Sequence, residues 1–150
     1  RVYLLDDPNQ RMKIDDLCLR YKLLLNEAPI DVVCMGIGEN GHIAFNDPPV
    51  ADFNDPKVVK IVELDEVCRQ QQVNDGCFPS LDAVPKKAIS LTIPMLMSGK
   101  CLICSVPGER KSNAVYRTVN EEMTTACPAT ILKSHPNATL YIDSDSAKKL

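Results

Sequence analysis

Ile30-Asp31-Val32-Val33-Cys34-Met35-Gly36-Ile37-Gly38-Glu39-Asn40-Gly41-His42-Ile43-Ala44-Phe45-Asn46-Asp47-Pro48-Pro49 decides the fold class. Its opening, apolar except for Asp31, has the composition of a strand buried on both faces of a parallel sheet. Gly36, Gly38 and Gly41 then spell G-x-G-x-x-G, the spacing of a dinucleotide-binding fingerprint. That fingerprint requires its last glycine to open a helix whose N-terminus meets a pyrophosphate. Here His42 follows at once, and Pro48-Pro49 close the stretch before a helix has room to form. The dinucleotide reading therefore fails. A flexible loop at a strand end is expected instead, holding a histidine between an amide, Asn40, and a carboxylate, Asp47.

Working outward, strand and helix patterns alternate. Val2–Leu5 is a short strand candidate and Asp6-Asp7-Pro8-Asn9 a turn. Ile14, Leu17, Cys18, Tyr21, Leu24 and Leu25 recur at helical spacing, and Pro29 is expected to end that helix. Downstream, strands are predicted over Val58–Val62, Ala88–Ile93, Cys101–Val106 and Thr139–Ile142. Helices are predicted over Asp65–Val73, from Pro94 to near Gly99, over Glu109–Val119, over Pro128–Ser134 and after a Ser144 cap. Such alternation implies an α/β domain over residues 1–150 with a Rossmann-like parallel sheet and flanking helices. Ligands of such sheets bind beyond the carboxyl ends of strands, here the loops after Met35 and after Val106.

The bulk numbers narrow the function classes. The chain has 150 residues, 45% hydrophobic and 25% charged, with net charge −3. With no Lys/Arg run, a nucleic-acid partner is not expected. No apolar run approaches the ~20 residues of a membrane helix. Because the chain opens at Arg1 rather than Met, a targeting segment is left open. The seven cysteines, mostly in apolar segments, fit free thiols in a reducing cytoplasm. Cys101 and Cys104 would point to opposite faces of an extended strand, so they share no metal.

Three groups carry candidate chemistry. His42 suits proton transfer near neutral pH, with a nearby carboxylate to orient the ring and stabilise the imidazolium. Gly108-Glu109-Arg110-Lys111 offers a backbone N–H nest and a lysine for an anion. Arg69, among Gln70, Gln71 and Gln72, reads as a surface residue on spacing alone.

These residues resemble the glucosamine-6-phosphate deaminase family, also called glucosamine-6-phosphate isomerases, whose relatives include the 6-phosphogluconolactonases. The resemblance rests on Gly36-x-Gly38-x-Asn40-Gly41-His42-Ile43-Ala44-Phe45-Asn46-Asp47-Pro48, Arg69, Val84-Pro85-Lys86-x-Ala88-Ile89-Ser90, Gly108-x-x-Lys111 and Leu132-x-x-His135-Pro136, in family order. It implies conversion of glucosamine 6-phosphate to fructose 6-phosphate and ammonia, with no metal or organic cofactor. By position, His42 would be the acid–base that opens the sugar ring, with Asp47 and Asn40 where the family often has a glutamate and an aspartate. Glu39 is a candidate to replace the missing charge at position 40. Gly38, Gly41, Arg69 and Lys111 match substrate-binding positions.

No counterpart of the family's glycine-rich phosphate loop, or of the Asp-Glu segment whose aspartate moves the C2 proton, precedes Asp31. The chain is thus expected to be the C-terminal part of a longer enzyme, an incomplete domain inactive alone, and to form a homo-oligomer. A lactonase and a non-catalytic sugar-phosphate-binding domain are the alternatives.

Overall fold

The computed structural model describes residues 2–5 and 12–150; the turn expected at Asp6–Asn9 lies outside them. In chain order the elements are α1 (Ile14–Leu25), β1 (Val32–Met35), β2 (Val59–Glu63), α2 (Glu66–Asn74), β3 (Lys87–Leu91), α3 (Ile93–Met97), β4 (Cys101–Val106), α4 (Ser112–Asn120) and β5 (Ala138–Ile142). Short 3₁₀ segments at Leu81–Ala83, Glu109–Lys111 and Pro128–Ser134 complete the set. Val2–Leu5 forms no strand, with Val2 and Leu4 exposed. An apolar tetrapeptide becomes a strand only where an edge is free to pair with it.

The main sheet is parallel, in the order β1-β4-β5. Its register puts Val33 beside Leu102 and Met35 beside Cys104, and Leu102 beside Ala138. These side chains share one face, and that face is the core: Leu102, Cys104 and Val106 pack with Ile37, Ile43, Ile93, Leu96, Val115 and Leu132. Burying an aliphatic side chain of this size contributes roughly 1.5–3 kcal/mol. The other face differs from expectation. Val32 is 49% and Tyr141 57% exposed, and Cys34 is exposed too. The apolar run of β1 is therefore buried on one face. Its α-helical cover, α3 and α4, lies on the Leu102 side.

The expectation of an all-parallel sheet also needs correction. β2 and β3 form a separate antiparallel pair, Val59 opposite Leu91 through Glu63 opposite Lys87. Their sequences carry the reason. Glu63 and Lys87 stand opposite each other on an exposed face at 3.6 Å, as suits a ribbon with one wet face, whereas Lys60 points to the other face and pairs with Asp55. α1 lies against β2, and its half-buried residues are Leu17, Cys18, Arg20, Tyr21, Leu24 and Leu25. That helix stops at Leu25, ahead of Pro29, where the Asn26 N–H bonds back to the Lys22 and Leu23 carbonyls.

The helix expected after Ser144 is a run of turns. Asp143 caps it instead: its carboxylate accepts the Ser146 N–H at 2.7 Å, and the Ser146 hydroxyl accepts the Asp143 N–H at 3.1 Å. The described cysteines are all free. Burial alone pushes the Cys104 thiol up to about 11, so it behaves as core.

Candidate active site

The chain leaves β1 through Gly36, where the backbone comes so close to β4 that an added Cβ would stand 3.2 Å from the Ser105 carbonyl. It then folds on itself. The Gly38 N–H bonds to the His42 carbonyl at 2.9 Å and the Gly41 N–H to the Gly38 carbonyl at 3.0 Å. Gly41 sits at φ +85°, and a Cβ there would meet Cys127 Sγ at 2.5 Å. Both facts require glycine. The Gly41 carbonyl accepts the Ala129 N–H at 2.8 Å, and the Phe45 N–H reaches the Ser90 hydroxyl at 3.1 Å. Asn46, fully buried, donates to the carbonyls of Ile43 and Leu91. The flexible loop expected from the glycines is thus a knot pinned to β3 and to the Pro128–Ser134 segment. Its glycines supply close approach rather than mobility.

The knot seats His42, 8% exposed, with its ring over Gly38: an added Cβ would lie 2.0 Å from Cε1 and 2.3 Å from both ring nitrogens. Nδ1 stands 2.9 Å from Asp47 Oδ1 and 2.7 Å from Asn40 Oδ1. Asn40 Oδ1 also accepts the His42 backbone N–H at 3.0 Å, while its Nδ2 donates to Asp47 Oδ1 at 3.1 Å. The amide orientation follows from those partners: N–H groups on the oxygen side, carboxylates on the nitrogen side. With two acceptors facing Nδ1, that nitrogen carries the proton, and Nε2 is left with its lone pair.

Asp47 is fully buried. Burial pushes its carboxyl up. The hydrogen bonds from His42, Asn40 and the Asp65 backbone outweigh that and hold it below the usual carboxylate range. Cys68 is also buried; burial first, then the carboxylates of Asp47 and Asp65, push its thiol up to about 12. Donor atoms of His42, Asp47 and Cys68 lie within 4.8 Å of one another, so this trio is the place where a cation could be held among the described residues. As it stands, protons on Nδ1 and on the thiol occupy those contacts.

His42 opens onto a cavity of about 330 Å³ at the carboxyl ends of β1 and β4, lined also by Gly38, Ala44, Gln71, Pro107 and Lys111. A second cavity of similar volume, lined by Tyr21, Phe45, Val59 and Leu91, is mostly apolar and lacks this chemistry. The half-buried Lys111 ammonium has its pKa lowered by burial, against the raising influence of Glu39 and Asp75. No described carboxylate stands within ion-pair distance of it. The neighbouring nest is less open than its sequence implied. The Gly108 N–H, at φ +94°, is taken by both oxygens of Asp143 at 3.0 and 3.1 Å.

Of the residues predicted from sequence, His42, Gly38 and Lys111 line the cavity, and Asn40, Asp47 and Gly41 stand behind His42. Arg69 does not join them. Its guanidinium donates to the carbonyls of Leu81 at 2.6 Å and Val84 at 3.1 Å, tying the 3₁₀ turn to α2. Glu39 does not replace the charge missing at position 40 either, because it turns to Arg110 at 3.3 Å. Two contributors escaped the sequence reading. Asp65 caps α2, accepting the Cys68 N–H at 3.0 Å, and its own N–H reaches Asp47 Oδ2 at 3.3 Å. Gln71 lines the cavity and accepts the Glu39 N–H at 3.0 Å. The aspartate before the helical run was a readable cap signal; Gln71 left none.

Comparison with known proteins bears on the family and the fold. Residues 4–141 match the family described as glucosamine-6-phosphate isomerases/6-phosphogluconolactonase. The chain is 38% identical over 133 residues to a glucosamine-6-phosphate deaminase of Bacillus cereus, covering 89% of this chain and 49% of the relative. It is 40% identical over 130 residues to one of Staphylococcus epidermidis, covering 85% and 51%. A solved structure described as a monomeric glucosamine-6-phosphate deaminase superposes with TM-score 0.83 at 33% identity, over 92% of this chain and 56% of that one. The 6-phosphogluconolactonase of Trypanosoma brucei shares the fold at TM-score 0.65 and 19% identity, over 96% and 57%. The chain spans about half the length of the curated relatives it matches. Motif, fold and family match coincide, and the chain belongs to the glucosamine-6-phosphate isomerase/6-phosphogluconolactonase family.

Proposed function

We propose that the protein is a glucosamine-6-phosphate deaminase, taking glucosamine 6-phosphate to fructose 6-phosphate and ammonia through ring opening, aldose–ketose isomerisation and deamination. The observation that carries this is His42, proton on Nδ1 against Asp47, facing one cavity with Lys111. The deaminase relatives at 38–40% identity support it.

In this reading the Nε2 lone pair takes the proton of the sugar's anomeric hydroxyl and returns it to the ring oxygen as the ring opens. Asp47 stabilises the imidazolium in between. Lys111 holds the phosphate as a point charge, and Gly38 leaves the room that the His42 ring occupies. Isomerisation also moves a proton from C2 to C1. By the family resemblance that step belongs to an aspartate outside the matched motifs, which we propose the full-length protein supplies. We place the protein in the cytoplasm, on its free thiols. No described helix is long and apolar enough to cross a membrane. Self-association is proposed from the exposed Leu19, Leu23 and Val32; light scattering showing a clean monomer would remove that part.

The decisive assay is ammonia release from glucosamine 6-phosphate by the full-length protein. Turnover that falls by about 10²–10⁴-fold in His42→Gln is expected. No release, with His42→Gln no worse than wild type, sinks the proposal, and hydrolysis of a phosphogluconolactone instead would transfer the site to the other branch of the family.

A further inference from the structure

Asp65 touches both groups that hold His42, and nothing in the mechanism above uses it. Its Oδ2 accepts from Asn40 Nδ2 at 3.4 Å, and its backbone N–H donates to Asp47 Oδ2 at 3.3 Å. Its other oxygen, Oδ1, accepts the Cys68 N–H at 3.0 Å and so is committed to the α2 cap. Asn40 therefore lies with its Nδ2 between two carboxylates and its Oδ1 between two N–H groups of His42. Reversing the amide would set an oxygen against both carboxylates and an NH₂ against both N–H groups, losing every contact at once.

We propose that Asp65 is a positioning residue for His42, supplying through the Asn40 amide the second carboxylate that an asparagine at position 40 withholds. Asn40 is neutral and has no direction of its own. The His42 N–H, Asp47 and Asp65 set it together, and the Asp65 N–H holds Asp47 by Oδ2 so that Oδ1 faces the imidazole. The asparagine also becomes intelligible: an aspartate at position 40 would crowd a third carboxylate between Asp47 and Asp65. Other ionisable groups around the pair are Cys68 from α2, Lys111 from the segment before α4, which shares the cavity, and Glu39, which is turned to Arg110.

The catalytic part of this proposal rests on the deaminase reading, so the test has an arm that needs no turnover. In the full-length protein, Asp65→Ser and Asp65→Asn both keep an oxygen for the Cys68 N–H and so keep the cap. Neither keeps a spare acceptor for Asn40. Nitrogen-15 shifts of the His42 ring should show the Nδ1–H tautomer in wild type and a mixture with Nε2–H in both variants. If the enzyme turns over, kcat falls about tenfold, part of what a general acid–base supplies, while KM stays within twofold and the pH–rate profile changes shape. Asn40→Asp should impair the site, and adding Asp65→Asn to it should recover most of the loss. Folded Asp65 variants with wild-type ring shifts overturn the proposal. So do effects of Asn40→Asp and Asp65→Asn that merely add, a result that also covers variants too unstable to assign. Absence of turnover in wild type would sink the deaminase reading and leave the tautomer result standing.

Discussion

Two loops leave the carboxyl ends of neighbouring parallel strands and meet at one cavity, yet they are built in opposite ways. The loop after β1 is closed on itself. Asp47 receives His42, Asn40 and the Asp65 backbone, and Glu39 is turned to Arg110. The loop after β4 ends on Lys111, half-buried and without a described carboxylate at ion-pair distance. The first has its carboxylate already met by hydrogen-bond donors, as suits a group that moves protons with little rearrangement. The second holds a cation at an electrostatic cost that an anionic ligand would relieve.

The comparison breaks most visibly at Asp47. Asp47→Ala should cost about 3–5 kcal/mol, because it leaves the His42 Nδ1–H, the Asn40 amide and the Asp65 N–H unpaired at about 1–3 kcal/mol each. Urea denaturation measures it. The same carboxylate sets an acid limit. Its pKa is lower folded than unfolded, so its contribution is fully present above the ordinary carboxylate value and is lost as pH falls below that value through the folded one. Wild type should lose stability in that acid window more steeply than Asp47→Asn, a difference visible in melting curves taken across pH.

Gly38→Ala should come next. Its Cβ would overlap the His42 ring, so either the ring or the backbone must yield at about 1–3 kcal/mol. Activity should fall with it, and the displaced ring should be visible in the His42 resonances. Lys111→Met reverses the pattern: stability should hold or rise slightly, because a buried charge is removed. Affinity for a sugar phosphate should drop about ten- to a hundredfold, the value of one charge-assisted hydrogen bond, read by calorimetry. Ala44→Gly is the smallest. Ala44 lies at φ 50°, in the left-handed region that a side chain disfavours. Relief of that strain is partly offset by the freer unfolded chain, and a gain under about 1 kcal/mol is expected in the melting temperature.

Much of this was legible in the chain itself because local chemistry and final structure agree there. Cys101–Val106, an apolar run between Lys100 and Pro107-Gly108, is β4 residue for residue. His42, Asp47 and Gly38 stood out because glycines, a histidine and paired prolines leave few local conformations. Three features were illegible because they depend on what lies across space. The antiparallel pairing of β2 with β3 sets Glu63 opposite Lys87, a match that exists only once the two strands have met. The resemblance assigned Arg69 to the substrate, and only the return of the Leu81–Val84 turn brings two carbonyls to its Nη2. Asp143 lies far from Gly108 in sequence and reaches it only because β5 runs parallel beside β4.

That parallel pairing also sets a timetable. Val32 meets Cys101 only after the intervening chain, with the β2–β3 ribbon, has been closed into a loop. Closure entropy is lost before any parallel contact repays it, which makes such pairings slow. On the ribosome the His42 knot emerges well before β4, β5 and the Pro128–Ser134 segment that anchors Gly41. Its histidine is therefore made before the segments that hold it in place.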